Sequence, residues 1–202
     1  MLTIALPKGR IADETLDRFE KAFGEKFVFE DRKLILEKSG FKFLNVRNQD
    51  VPTYVMHGAA DLGVVGLDVL EEKEYDLIKL LDLKLGKCKV AFGLRAGESI
   101  NFDKSKITIA TKHEKIAKKY FEEKAMAVEI IKLYGSIELA PLVGLCDCIV
   151  DIVETGETMK QNGLEVGPTI MQSSAHLIAN KNSFYAKKDA IFNLKDRIEK
   201  YL

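Results

Sequence analysis

Residues Glu138 to Met159 read ELAPLVGLCDCIVDIVETGETM, and the centre of this run decides how the rest of the chain is read. Cys148-Ile149-Val150-Asp151-Ile152-Val153 is apolar except for one acid, the pattern of a buried strand, and Glu154-Thr155-Gly156-Glu157-Thr158 is the turn after it. A small-residue turn at a strand's end aims successive backbone N–H groups and threonine hydroxyls at one anion, most effectively where a helix begins. Asp151 and Glu154 bracket this cradle with carboxylates, which suit ribose hydroxyls or a hydrated Mg²⁺ rather than the phosphate itself. The segment thus offers the groups that a phosphorylated sugar requires. The same residues also have a purely structural reading, with Thr155 or Thr158 as an N-cap and Gly156 as a tight-turn residue, because most strand-to-helix junctions carry such residues and bind nothing.

Elsewhere strands and helices alternate. Met1 to Leu6 reads as a first strand, Pro7-Lys8-Gly9-Arg10 as its loop, and Ile11 to Phe23 as a helix with Ile11, Leu16, Phe19 and Phe23 on one stripe. A loop at the C-terminal end of a strand is the usual ligand position in an α/β sheet, so Lys8 and Arg10 are able to grip phosphate there; solvated loop charges are the alternative. Phe41 to Val46 reads as the next strand, and a helix begins near Asp50 and Pro52 and ends at His57-Gly58. His57 is then a last-turn residue near the helix dipole. Ala59 to Leu70 is a buried strand followed by Gly66 and a new helix, and Lys87 to Leu94 and Lys106 to Thr111 are further strands. His113 to Glu123 is helical, Ala127 to Leu133 extended, and Gly135-Ser136 opens the helix that carries Glu138. Strands follow at Val166 to Gln172 and Leu177 to Asn180, with His176 between them as a hydrogen-bonded, partly buried residue, and Lys187 to Leu202 forms a closing amphipathic helix. This alternation predicts an α/β fold with mostly parallel sheets.

The chain has 202 residues, 47% hydrophobic and 31% charged, with 31 basic and 31 acidic side chains, which describes an ordered globular protein of zero net charge. No global field favours nucleic acid or an anionic membrane, so any bound anion must be held locally. Cys88, Cys146 and Cys148 match neither a disulfide framework nor a zinc site, and buried small hydrophobes are the reading for the last two. No basic leader precedes Leu2-Thr3-Ile4-Ala5-Leu6 and no apolar run reaches membrane length, so a cytoplasmic protein is expected.

The stretch from Glu138 to Met159 resembles the signature of the ATP phosphoribosyltransferase family, which opens histidine biosynthesis. Glu138, Gly144, Ile149, Asp151, Thr155, Gly156, Thr158 and Met159 carry the resemblance, with Cys146 where the family usually has Ser, Ala or Gly. Ala5-Leu6-Pro7-Lys8-Gly9-Arg10 is similar to the family's N-terminal motif, and GAADLGVVGLDVL at 58–70 to another family segment, with Leu67 where many relatives carry lysine. The resemblance covers essentially the whole chain. It implies two lobes of the type II periplasmic-binding-protein kind around a cleft, with the crossing near Phe92 to Arg95. The expected lobes are residues 1–92 plus 177–202, and residues 93–176 with the cradle.

The implied reaction joins N1 of ATP's adenine to C1 of the ribose of phosphoribosyl pyrophosphate, with Mg²⁺ present, and releases pyrophosphate. The transition state of such a glycosidic cleavage is oxocarbenium-like, so orientation and charge neutralisation suffice, and no side chain is assigned as acid, base or nucleophile. By resemblance, Thr155, Gly156, Glu157 and Thr158 hold the 5-phosphate, and Asp151 and Glu154 the ribose hydroxyls, directly or through water and metal. Lys8, Arg10, Arg32 and Arg47 are the candidates for pyrophosphate and the ATP phosphates, guanidinium being suited to bidentate phosphate contacts. Glu138 belongs to the signature without a role that its chemistry supplies, a helix N-terminal charge complementing the dipole being the equal alternative. The chain's length resembles the family's short form, which works as a hetero-octamer with a regulatory subunit similar to histidyl-tRNA synthetase; a homodimer of catalytic chains is also implied.

Three other readings fit less well. An exported solute-binding protein of the same fold needs a leader and no ribose-phosphate cradle. A P-loop nucleotide hydrolase needs G-x-x-x-x-G-K-[ST], which the sequence lacks. Phosphoribosyltransferases acting on other bases usually carry two adjacent acids before the turn, whereas Ile152 follows Asp151 here.

Overall fold

The computed structural model describes residues 1–202, which divide into two compact units, Met1–Gly86 with Ser174–Leu202, and Lys87–Ser173. The first unit begins with β1 (Leu2–Pro7), α1 (Arg10–Phe23), β2 (Ile35–Lys38), β3 (Phe41–Val46), a 3-10 turn at Asn48–Asp50, α2 (Val51–Met56), β4 (Leu62–Gly66), α3 (Leu67–Lys73) and β5 (Ile78–Asp82). The second unit consists of β6 (Cys88–Arg95), β7 (Ile107–Thr111), α4 (Glu114–Glu123), β8 (Val128–Lys132), α5 (Leu139–Leu142), β9 (Cys148–Val153), α6 (Glu157–Gln161) and β10 (Leu164–Ser173). The chain then returns to the first unit through β11 (Ala175–Ala179), α7 (Lys181–Ala186) and α8 (Lys188–Glu199).

Each unit is a sheet covered on both faces. In the first, the strand order is β2-β3-β1-β4-β11-β5. The two-residue period of β1 sends Leu2, Ile4 and Leu6 to one face, where Leu16 and Phe19 of α1 and Ile191, Leu194 and Ile198 of α8 cover them. Ala5 faces the other way, against Val51 and Val55 of α2 and Val69 and Leu70 of α3. Each fully buried aliphatic or aromatic side chain contributes roughly 1.5–3 kcal/mol relative to exposure. Phe19 adds edge-to-face contacts with Phe43 at 5.0 Å and Phe41 at 5.4 Å between ring centres, and α1 stops at Gly24 in the left-handed conformation.

In the second unit the order is β10-β6-β9-β7-β8. Val90, Phe92, Ile109 and Val150 pack beneath Ile116, Ala117 and Phe121 of α4 on one face. Ala91, Ala110, Ile149 and Val153 pack against Ala140 of α5 and Met159 of α6 on the other. The two cores are therefore separate and each is complete within its own unit.

The return of the chain to the first unit is fixed electrostatically. Asp61, buried just before β4, accepts the Thr3 N–H at 2.9 Å and the Lys187 ammonium at 2.8 Å on both oxygens. Burial pushes this carboxyl upward, but Lys187, the Thr3 N–H and the Ser183 hydroxyl outweigh it and hold the group below the usual carboxylate range.

Several expectations change. Only four of the nine neighbouring strand pairs are parallel, so the sheets are mixed rather than mostly parallel. Alternation predicts parallel pairing only where a helix returns the chain between strands, and β10 and β11 follow one another with Ser174 alone between them. The division falls at 86/87 and 173/174 instead of 92/93 and 176/177, because all of β6 pairs with β9 and β10 in the second unit and all of β11 with β4 and β5 in the first. The helix expected from Gly135-Ser136 begins only at Leu139, since Ser136 takes a left-handed φ of 49°. β5 and α7 had no counterpart in the sequence reading, although Asn180 caps α7 by accepting the Ser183 N–H at 3.0 Å.

Candidate functional site

The second unit places the cradle at the C-terminal end of β9, where the expected turn and helix both form. Gly156, not a threonine, occupies the N-cap of α6, with φ 83°, and a Cβ built on it would lie 2.9 Å from Cγ2 of Val166. Both conditions select glycine. The Thr155 hydroxyl accepts the Glu157 N–H at 3.3 Å, while the N–H groups of Thr155 and Gly156 have no acceptor within the chain. The Thr155 and Thr158 side chains are exposed. Met159, one residue further on, is buried against Ala91 and Ile149 and anchors the short helix. A buried anchor thus holds a turn with two N–H donors that have no partner within the chain.

Of the three acids around the turn, Glu154 and Glu157 are exposed, and Glu157 Oε1 accepts from the Gln161 amide at 3.0 Å. Asp151 lies within β9, half-buried, on the same side of the strand as Ile149 and Val153. Its Oδ1 accepts the Ile152 N–H at 2.8 Å and lies 3.1 Å from Nζ of Lys112 and 3.8 Å from Nε2 of His113. Lys112 and His113 did not emerge as site residues from the sequence. They occupy the turn between β7 and α4, and become neighbours of Asp151 only because β7 pairs in parallel with β9, Thr111 opposite Val150. The available signal was their place at a strand's C-terminal end.

In the first unit, Lys8, Arg10, Arg32 and Arg47 are exposed, and Lys8, Arg10 and Arg47 follow the C-terminal ends of β1 and β3. The Lys8 N–H donates to the Val46 carbonyl at 2.8 Å, so Lys8 and Arg47 adjoin at the ends of β1 and β3. The Leu34 carbonyl accepts the Asn45 N–H at 2.9 Å, which brings the segment of Arg32 to the same end of β3. Arg10 opens α1 with Nε 3.7 Å from Oε1 of Glu14. Glu138 stands at the start of α5 and makes no side-chain cap bond. His57 ends α2, and Nδ1 of His176 lies 3.0 Å from the Ser174 carbonyl, so both keep the structural roles read from the sequence.

No group of three or more His, Cys, Asp or Glu side chains gathers as a metal cage. Asp151 and Glu154 supply at most two carboxylates, the number with which a hydrated Mg²⁺ carried on substrate phosphates is bound. Cys146 and Cys148 are buried thiols; burial pushes Cys148 up to about 12, so neither is a nucleophile at neutral pH.

A family profile, HisG: ATP phosphoribosyltransferase, matches residues 47–200. The ATP phosphoribosyltransferase of Wolinella succinogenes is 68% identical over 200 residues, covering 99% of this chain and 97% of that protein. That of Campylobacter curvus is 63% identical over 202 residues, covering 100% and 98%. Among solved structures, the ATP phosphoribosyl transferase (HisG:HisZ) complex from Thermotoga maritima matches with TM-score 0.85 and 36% identity, over 99% of this chain and 98% of that one. The periplasmic aliphatic sulphonate binding protein SsuA from Escherichia coli matches with TM-score 0.64 at 13% identity, over 98% and 67%, which is a likeness of fold alone and of the periplasmic-binding-protein kind.

Proposed function

The chain belongs to the ATP phosphoribosyltransferase family, and from that premise we propose how its residues divide the work of the reaction. The enzyme transfers the phosphoribosyl group of phosphoribosyl pyrophosphate to ATP in the first step of histidine biosynthesis. The observation that carries the site assignment is the turn after β9, where the unsatisfied N–H groups of Thr155 and Gly156 and the exposed hydroxyls of Thr155 and Thr158 flank a glycine whose left-handed φ and close neighbour disfavour any side chain.

Thr155, Gly156, Glu157 and Thr158 then receive the 5-phosphate, mainly through backbone N–H groups, since α6 has only five residues and a small dipole. Asp151 and Glu154 accept from the ribose hydroxyls. Both carboxylates can also take water from a Mg²⁺ bound with the substrate, an ion that would neutralise charge on the departing pyrophosphate. Lys8, Arg10, Arg32 and Arg47 take pyrophosphate and the ATP phosphates, as permanent or nearly permanent cations. Adenine N1 is already nucleophilic, so the protein's contribution is orientation of two anionic substrates and electrostatic relief as the C1–O bond lengthens.

The similarity to the Thermotoga maritima complex supports a separate regulatory partner for this chain, and with it the hetero-octamer and catalytic homodimer of the short-form enzymes. No helix is long and apolar enough to cross a membrane, and a biosynthetic enzyme of this family works in the cytoplasm.

The test is mass spectrometry of nucleotides after incubating the chain with ATP, phosphoribosyl pyrophosphate, Mg²⁺ and a pyrophosphatase that draws the equilibrium forward. A product one phosphoribosyl group heavier than ATP is expected, either from the chain alone or on addition of the synthetase-like partner. No product in either case would overturn the reading. Replacing Glu154 and Thr158 together by alanine should impair use of phosphoribosyl pyrophosphate without unfolding the protein, both being exposed; full activity in that variant would remove the turn from the site.

A further inference from the structure

From Asp151 to Met159 the chain carries three carboxylates and no lysine or arginine. A phosphorylated sugar diphosphate brings several more negative charges to the same place. Hydrogen bonds from N–H groups and hydroxyls relieve the phosphate, but they do nothing for a carboxylate that must stand beside it, and unlike-signed charge has to come from elsewhere in the fold. The second unit supplies it from β7.

We propose that Lys112 and His113 are positioning residues of the phosphoribosyl pyrophosphate site, acting through Asp151. This rests on the assignment of Asp151 to the ribose hydroxyls. Two donors close on one oxygen, Oδ1, the Ile152 N–H at 2.8 Å and Lys112 Nζ at 3.1 Å, and His113 Nε2 stands behind it at 3.8 Å, beyond hydrogen-bond length. A carboxylate fixed through one oxygen in this way presents the other, Oδ2, to a ligand hydroxyl in a single orientation. The side chain of Lys112 is 38% exposed and that of Asp151 14%, so the pair borders solvent, while the His113 side chain is 2% exposed and forms the wall behind it.

The backbone of this turn is itself secured to β9. The Thr111 hydroxyl donates to the Val150 carbonyl at 2.6 Å and accepts the His113 N–H at 2.9 Å, with Thr111 fully buried. One side chain therefore fixes the distance between the peptide preceding Asp151 and the two residues that contact its carboxylate. Lys112 neutralises Asp151 in the empty site and continues to do so when phosphate arrives, and neither residue need touch the substrate.

Steady-state kinetics of the full chain, with the partner subunit added if activity requires it, tests the proposal. Lys112→Met should raise KM for phosphoribosyl pyrophosphate about tenfold, the low end of what a charge-assisted hydrogen bond is worth, because the lysine is partly exposed. KM for ATP should stay within about twofold and the thermal midpoint should not move. Lys112→Arg should recover most of the loss. His113→Gln, which keeps a nitrogen on that side of Asp151, should retain more activity than His113→Leu. In an Asp151→Asn background the effect of Lys112→Met should largely vanish, since there is no carboxylate left to position. A wild-type KM in Lys112→Met would overturn the proposal while leaving the transferase reading intact. A tenfold effect that persists in Asp151→Asn would overturn it too, by placing Lys112 on the substrate itself. Absence of phosphoribosyl-ATP from the wild-type protein with its partner would remove the reading on which the proposal depends.

Discussion

Gly156 is where the fold and the proposed chemistry meet most tightly, and replacing it separates two physical costs. Its φ of 83° lies in the left-handed region, which costs an L-residue roughly 1–2 kcal/mol. A Cβ there would also approach Cγ2 of Val166 to 2.9 Å and lie 3.8 Å from Cγ1 of Val153. The first contact is closer than van der Waals separation, but Val166 is 36% exposed and can yield, so the crowding adds about 1 kcal/mol, the low end for overpacking. Gly156→Ala should therefore lose about 2–3 kcal/mol, which for a chain of this length lowers the thermal midpoint by about 4–12 °C. Circular dichroism melting measures this, and kinetics in the same variant should show KM for phosphoribosyl pyrophosphate raised about tenfold, because the displaced turn carries the N–H donors. Gly156→Asn should be less destabilised than Gly156→Ala, since asparagine tolerates left-handed φ while presenting the same Cβ. Adding Val166→Ala to Gly156→Ala should return the crowding share and leave the conformational share. Equal stability of the glycine and alanine forms, or an alanine form more stable than the asparagine form, would refute the reasoning.

Other consequences are equally direct. Lys187→Met strips the buried Asp61 of its ion pair and should cost about 1–2 kcal/mol, less than a fully buried pair because Lys187 is partly exposed, read from urea unfolding at pH 7; no loss would show that the pair contributes nothing. Because the folded-state pKa of Asp61 is lowered, its stabilisation is complete above the unfolded value near 3.9 and is lost as pH falls through the folded value, so the stability gap between wild type and Asp61→Asn should close in acid; a gap that widens there would contradict the assigned direction. Iodoacetamide at pH 8 should modify the half-buried Cys88 in the native chain and reach Cys146 and Cys148 only after denaturation, as peptide mapping will show; native labelling of Cys148, whose thiol is held near 12, would contradict its burial. Arg47→Ala should raise KM for ATP or for phosphoribosyl pyrophosphate by about tenfold, the worth of one charge-assisted phosphate contact, and unchanged kinetics for both would remove it from the site.

Local pattern was enough for the elements that bury one stripe or both faces. β3 is the predicted Phe41–Val46 to the residue, and α1 and α8 follow the apolar spacing that the sequence displays. Pattern failed where structure depends on partners distant in sequence. β5 is a short edge strand whose exposure does not alternate cleanly, and its only partner is β11, which returns from a position nearly a hundred residues later. The lobe boundary failed for the same reason, since nothing inside Cys88–Arg95 says which sheet the strand will join. At the site, the turn from Glu154 to Thr158 was legible because its glycine, hydroxyls and acids are contiguous. Lys112 and His113 were not, because their meaning comes from the pairing of β7 with β9.

Zero net charge makes the distribution of cations the decisive electrostatic fact about this chain. A protein with no overall field has to bind two polyanions by local arrangement, and the fold arranges its groups in two distinct ways. Near the C-terminal ends of β1 and β3 the proposed donors are charged, Lys8, Arg10, Arg32 and Arg47. At the end of β9 the turn offers neutral donors, N–H groups and hydroxyls, with carboxylates beside them and the Lys112 cation against Asp151. Neutral donors suit a 5-phosphate whose charge does not change during the reaction, and carboxylates suit ribose hydroxyls next to a carbon that becomes cationic. Cationic side chains suit pyrophosphate, which gains charge as it departs. On the proposed assignment the partition of residue types follows the partition of charge along the reaction, and a cradle built from lysines in place of Asp151 and Glu154 would bind the substrate while opposing the transition state.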